Sequence, residues 1–127
     1  MKKTKNIVII ADGTGRTAKR LMDAVLAQYS EQTVNFSVEN IYQQVRTKRR
    51  ANEILKEISD DYLVLFSIIS ADLREHFHNR LEERGVLHLD VLEPMLNTMS
   101  KFLGVHPDYK PGLLQRIDDN YYHKVDA

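Results

Sequence analysis

The feature that most constrains this chain is a pair of apolar runs that do not alternate, Ile7-Val8-Ile9-Ile10-Ala11 and Tyr62-Leu63-Val64-Leu65-Phe66. A strand with one wet face reads apolar, polar, apolar. An unbroken apolar strand is one covered on both faces, as in a parallel sheet held between helices. Such a sheet needs crossover connections, and the intervening sequence supplies helical patterns of the right length. After the Asp12 to Gly15 loop, Ala18, Leu21, Met22, Val25 and Tyr29 recur at helical spacing. They predict a helix of about four turns with one buried stripe. Thr33 to Ile41 alternates Val34, Phe36 and Val38 against Asn35, Ser37 and Glu39, the pattern of an edge strand with one wetter face.

The rest of the chain repeats the theme. Thr47 is placed to cap a helix whose apolar stripe is Ala51, Ile54, Leu55 and Ile58 and whose opposite face is basic. Ser70 is an N-cap for a helix burying Leu73, Phe77 and Leu81, and Gly85 ends it as a left-handed cap. Val86 to Asp90 is a fourth short strand. Pro94 then sits in the first turn of a helix whose stripe is Met95, Leu96, Met99, Phe102 and Leu103, before Gly104. The expected fold is α/β and three-layered: a mostly parallel four-stranded sheet of order 2-1-3-4 with helices on both faces. Pro107, Pro111 and Gly112 punctuate a loop leading to a last helical pattern, Leu114, Ile117 and Tyr121, which reaches Ala127 without a stop signal. Residues 1–127 therefore read as a single α/β domain cut from a longer protein.

Composition removes several classes. Lys and Arg total 18 against 18 Asp and Glu, so no net field favours nucleic acid or an anionic membrane. The absence of cysteine excludes a disulfide framework, a thiolate nucleophile and a Cys-based zinc site, and is compatible with the cytoplasm. The basic start, Met1 to Asn6, precedes an apolar run too short for a signal peptide, and Tyr62 to Ile69 falls far short of the roughly 18 residues of a membrane helix.

Asp12-Gly13-Thr14-Gly15-Arg16-Thr17 lies at the carboxyl end of the first strand and opens a helix, the edge at which open α/β sheets bind ligands. Free N–H groups at the helix start, two glycines and Arg16 suit a phosphate or an acidic partner. The alternative is a tight βα turn in which Asp12 or Thr14 caps the helix. The segment is neither Gly-x-Gly-x-x-Gly nor Gly-x4-Gly-Lys-Ser/Thr. Arg46, Lys48, Arg49 and Arg50 cluster at the start of the second helix, where positive charge opposes the helix dipole. Arg46, Lys48 and Arg49 are accordingly candidates for phosphate or partner binding, set against the plainer reading of a solvated basic face. No aromatic interleaving accompanies them, so nucleic acid is not the expected partner. His76 and His78 point to opposite sides of a helix, and His88, His106 and His123 stand isolated in the sequence, so no metal site is expected. Ser67, Ser70, Asp60, Asp61, Asp118 and Asp119 are assigned no catalysis.

Ile10-Ala11-Asp12-Gly13-Thr14-Gly15-Arg16-Thr17-Ala18 is similar to the Ser-Asp-Ser-Thr-Gly-Glu-Thr-Ala type of segment near the start of bacterial and plant dikinase regulatory proteins. Val45-Arg46-Thr47, Asp72-Leu73-Arg74-Glu75, Asp90-Val91-Leu92-Glu93-Pro94, Pro111-Gly112-Leu113, Asp118 and Tyr121-Tyr122 follow in the same order. The chain thus resembles the N-terminal domain of the pyruvate phosphate dikinase and phosphoenolpyruvate synthase regulatory proteins. The resemblance implies a bifunctional regulator that uses ADP to phosphorylate a threonine of the dikinase and inorganic phosphate to remove it as pyrophosphate. It implies ADP or ATP and phosphate as ligands of the full-length protein, a homodimer, and pyruvate phosphate dikinase or phosphoenolpyruvate synthase as partner. In that family the P-loop lies in a C-terminal domain, and nothing here resembles it. Gly13 stands where the pattern has serine and Arg16 where it has an acidic residue. No catalytic residue is carried over. The expectation is a non-catalytic domain for recognition or assembly. The alternative is a stand-alone module that binds a small phosphorylated ligand at the Asp12–Thr17 loop.

Overall fold

The first apolar run becomes the interior of the sheet. A computed structural model describes residues 4–29 and 35–107. Its strands are β1 (Thr4–Ala11), β2 (Asn35–Tyr42), β3 (Leu63–Ser67) and β4 (Leu87–Asp90), in the order β2-β1-β3-β4. Every pairing is parallel, with a register shift between Ile7 and Val8 where β1 meets the edge strand β2. The helices are α1 (Arg16–Leu26), α2 (Lys48–Glu57), α3 (Ala71–Glu83) and α4 (Glu93–Leu103).

The pleat explains why the two runs are apolar throughout. Val8, Ile10, Val64 and Phe66 point to one face and meet Ala51, Ile54 and Leu55 of α2 and Leu73, Phe77 and Leu81 of α3. Ile7, Ile9 and Leu65 point to the other and meet Ala18 and Met22 of α1. Both faces are covered, so the three-layer α/β expectation holds. Phe66 and Phe77 stack with ring centroids 5.9 Å apart at the centre of the larger cluster. Each such ring contributes about 1.5–3 kcal/mol by burial alone.

The caps follow the sequence. Thr47 Oγ1 accepts from the Arg50 N–H at 3.1 Å, Ser70 Oγ accepts from the Leu73 N–H at 3.5 Å, and Gly85 takes φ +69° just past α3. Arg84, at the end of α3, also closes α2. Its guanidinium donates to the Leu55 carbonyl at 2.6 Å, to the Ile58 carbonyl, and to Asp60 at 2.8 Å. A last-turn carbonyl of α2 and that of its C-cap residue, Ile58, are thereby satisfied from the end of a neighbouring helix.

Two expectations are corrected. α1 has 11 residues rather than four turns, and its buried line is Ala18 and Met22, with Leu26 half-buried beside them. Leu21, Val25 and Tyr29 are exposed. Positions 18, 22 and 26 form a single i, i+4, i+8 row, so a lone helix on a twisted sheet touches it along one row and leaves the flanking apolar positions wet. The stripe of α4 is not buried either: Met95, Met99, Phe102 and Leu103 are all exposed, as are Leu87 and Leu89 of β4. Leu87 and Leu89 pair with Leu63 and Leu65 and so share the α1 side of the sheet, but α1 covers only its centre. Among the described residues no helix is long and apolar enough to cross a membrane. The expected helix over Leu114, Ile117 and Tyr121, and the start of the second strand at Thr33 and Val34, lie outside the described residues.

Candidate functional site

Four of the segments that carry the resemblance follow the carboxyl ends of the four strands, and the fold gathers them along one edge. Asp12 leaves β1 with its side chain turned inward, only 4% exposed. Its Oδ2 accepts from the Ile69 N–H at 2.9 Å, so the carboxylate ties the loop after β1 to the loop after β3. Burial pushes its pKa above the ordinary 3.8, against the opposing pull of the Ile69 hydrogen bond and the Arg46 charge. Its carbonyl accepts from Arg46 Nε at 3.0 Å, which brings in the segment after β2. The Val45 N–H donates to the Ala11 carbonyl and the Gln44 N–H to the Gly13 carbonyl, each at 2.9 Å. Gln44 holds φ +56°, a left-handed conformation that costs a non-glycine residue about 1–2 kcal/mol. The turn after β2 is therefore held in shape by its contacts to the first loop.

Gly15 is the N-cap of α1 at φ +78°, and no side chain caps the helix there. Thr14 Oγ1 accepts from the Arg16 N–H at 3.3 Å. Thr14, Gly15, Arg16, Lys19, Arg20, Ile41 and Gln43 line an open depression of about 410 Å³ beside this helix start. Arg16 is exposed and Thr17 half-buried. Lys19 is spent on Asp23, 2.6 Å away.

The basic cluster divides. Arg46 joins the Asp12–Thr17 loop. Lys48 and Arg49 stand in the first turn of α2, exposed, with Arg49 directed along the helix to Glu53 at 4.0 Å. Arg50 pairs with Glu53 at 3.2 Å and lies over the Tyr42 ring, whose hydroxyl donates to Glu57 at 2.8 Å. At the far end of the edge, Arg74 Nε donates to Asp90 Oδ2 at 2.8 Å, and Asp90 Oδ1 accepts from the Leu92 and Glu93 N–H groups at 3.1 Å each. Asp90 thus caps the approach to α4 and joins two more of the resembling segments. Ala71, Arg74, Glu75, His78, Asp90 and Glu93 line a cavity of about 230 Å³ there.

One constellation escaped the sequence reading. His76 and His78 do diverge, and His76 Nε2 meets Asn52 Oδ1 at 2.7 Å. His88 is not isolated, however: its Nε2 lies 3.0 Å from His78 Nδ1 and 3.7 Å from a Glu82 oxygen. The usable signal was the i, i+4 spacing of His78 and Glu82 on α3, together with a histidine on the next strand that points to the same side as Val64, its register partner.

Residues 7–127 match the kinase/pyrophosphorylase family. The chain is 32% identical over 124 residues to a protein of Maricaulis maris named as a pyruvate, phosphate dikinase regulatory protein, covering 96% of this chain and 43% of that one. Proteins of the same name from Streptococcus uberis and Trichlorobacter lovleyi are 31% and 30% identical, covering 95% and 97% of this chain and 44% and 45% of theirs. The chain spans less than half the length of these relatives. With a family match over nearly all of its residues, this chain belongs to the kinase/pyrophosphorylase family.

Proposed function

We propose that this chain is the recognition and assembly part of a cytoplasmic regulator that phosphorylates, and by phosphorolysis dephosphorylates, a threonine of pyruvate phosphate dikinase or phosphoenolpyruvate synthase. The carrying observation is that the family match spans residues 7–127 while the sequence holds no Gly-x4-Gly-Lys-Ser/Thr loop. Phosphoryl transfer depends on a cradle that positions phosphates and metal against developing charge. A chain without that cradle contributes surfaces rather than the transfer step.

Two surfaces support the reading. The ordered carboxyl edge, with Lys48 and Arg49 exposed beside it, suits an acidic or phosphorylated target. The apolar flank of β4 and α4 suits the part of the full-length relatives that this chain does not span.

The test is to incubate the chain with phosphohistidine-bearing dikinase, ADP and magnesium, read phosphothreonine by mass spectrometry, and measure dikinase binding in parallel. The expected result is binding without phosphothreonine, weakened in a Lys48→Glu/Arg49→Glu variant. Phosphothreonine, or the absence of any interaction with the dikinase, would refute the assignment. A second reading rests on the glycine N-cap of α1 and the depression beside it: binding of ADP or inorganic phosphate there. Saturable phosphate binding that disappears in Gly15→Val would favour it.

A further inference from the structure

We propose that His78, Glu82 and His88 form a binding site for a divalent transition-metal ion, with zinc as the best fit. Their ligand atoms all lie within 4.8 Å of one another. A tetrahedral zinc ion with Zn–N bonds of about 2.0–2.1 Å sets its ligand atoms about 3.3 Å apart. The His78 to His88 separation of 3.0 Å is already close to that spacing, and the Glu82 to His88 separation is 3.7 Å. His78 and Glu82 are exposed, so their side chains have room to turn toward a common ion.

The orientation of His88 is the second support. Its Nδ1 lies 2.7 Å from the Val86 carbonyl, which can only accept, so Nδ1 carries the proton and Nε2 presents its lone pair to His78 and Glu82. A ring nitrogen donating to a backbone carbonyl is the outer contact that fixes tautomer and angle in a metal-ligating histidine. The ring is also held by packing on Phe66, with centroids 6.2 Å apart, and its side chain is only 10% exposed. His78 and Glu82 are exposed, which leaves the remaining coordination position open to water or an incoming ligand.

The donor set selects the ion. Two imidazole nitrogens and one carboxylate suit zinc, copper or nickel, whereas calcium and magnesium take all-oxygen shells. A bound ion would bridge α3 to the edge strand β4, which lacks a neighbour on its outer side among the described residues.

The test is calorimetric titration of the 127-residue chain with Zn²⁺ in chelator-free buffer, with imidazole NMR to identify the histidines involved. The expected result is one ion per chain, with shifts of the His78 and His88 ring resonances and not of His76. His78→Gln and Glu82→Gln should each weaken binding by about tenfold or more, and His76→Gln should leave it unchanged. His88→Gln removes a largely buried ring and could unfold the edge, so the two exposed variants carry the test. Failure to saturate at one ion per chain, or wild-type affinity in His78→Gln, would overturn the proposal.

Discussion

Gly15→Ala is the sharpest perturbation of the turn that opens α1. Two costs arise there, and a second glycine separates them. At Gly15, φ is +78° and an added Cβ would lie 2.8 Å from Ile41 Cγ2; at Gly85, φ is +69° and an added Cβ would meet nothing within 4 Å. Both alanines carry the left-handed penalty of about 1–2 kcal/mol. Both recover about 0.4–1 kcal/mol from a less flexible unfolded chain. Gly85→Ala should therefore cost about 1 kcal/mol or less. Gly15→Ala adds an overpacking term of about 1–3 kcal/mol, because the methyl it strikes is fixed at the branched Cβ of Ile41 and cannot swing away as a chain end could. The expected total is about 3 kcal/mol.

Urea unfolding followed by circular dichroism reads the difference. With a slope of about 2 kcal/mol/M, the midpoint should fall by about 1.5 M for Gly15→Ala and by about 0.5 M or less for Gly85→Ala. Adding Ile41→Ala to Gly15→Ala should recover part of the loss, and the double-mutant cycle measures the contact itself. Equal midpoints for the two alanine variants would refute the claim that the first loop needs glycine for close approach to β2.

Two further outcomes follow from the same edge and its supports. Burial holds the Asp12 pKa above its ordinary 3.8. The folded state therefore binds more protons than the unfolded state between those values, and stability falls as pH rises through that window. Asp12→Asn keeps an oxygen acceptor for the Ile69 N–H, so its melting temperature relative to wild type should climb as pH rises above the ordinary carboxylate range; an offset that does not change with pH would contradict the assignment. Arg84→Met leaves the Leu55 and Ile58 carbonyls without their charged donor and should cost about 2–4 kcal/mol in the same urea assay, with Arg84→Lys recovering only part because an ammonium cannot span both.

The sheet was legible because strand periodicity reports environment directly. Ile7 to Ala11, and Val64 to Phe66 within the second run, are buried on both sides, as unbroken apolar runs require, and β2 alternates because one of its faces is wet. Thr47, Ser70 and Gly85 were legible because capping is local chemistry, decided within three or four residues. Helix stripes were less informative. The spacing of Met95, Met99 and Phe102 shows that one side of α4 is apolar, but it does not show that anything within the chain covers that side. The Arg46 contact to Asp12 and the Arg74 pair with Asp90 join residues 34 and 16 apart, and only the crossover geometry brings them together.

The candidate site illustrates the same limit from the opposite side. Asp12 belongs to the candidate ligand loop, and the fold gives its carboxylate to the Ile69 N–H instead. Its contribution is to fix where the loop stands. Asp90 repeats the arrangement at the other end, holding Arg74 and two backbone N–H groups at once. Both carboxylates act as cross-links between loops that belong to different βα units. The edge is thus ordered by interactions internal to the chain, whereas the flank formed by Leu87, Leu89, Met95 and Phe102 is exposed. An ordered polar edge beside an apolar flank that is exposed among the described residues fits the proposed division between recognition and assembly, and the proposed metal bridge at His78, Glu82 and His88 would stiffen the strand on which the two surfaces meet.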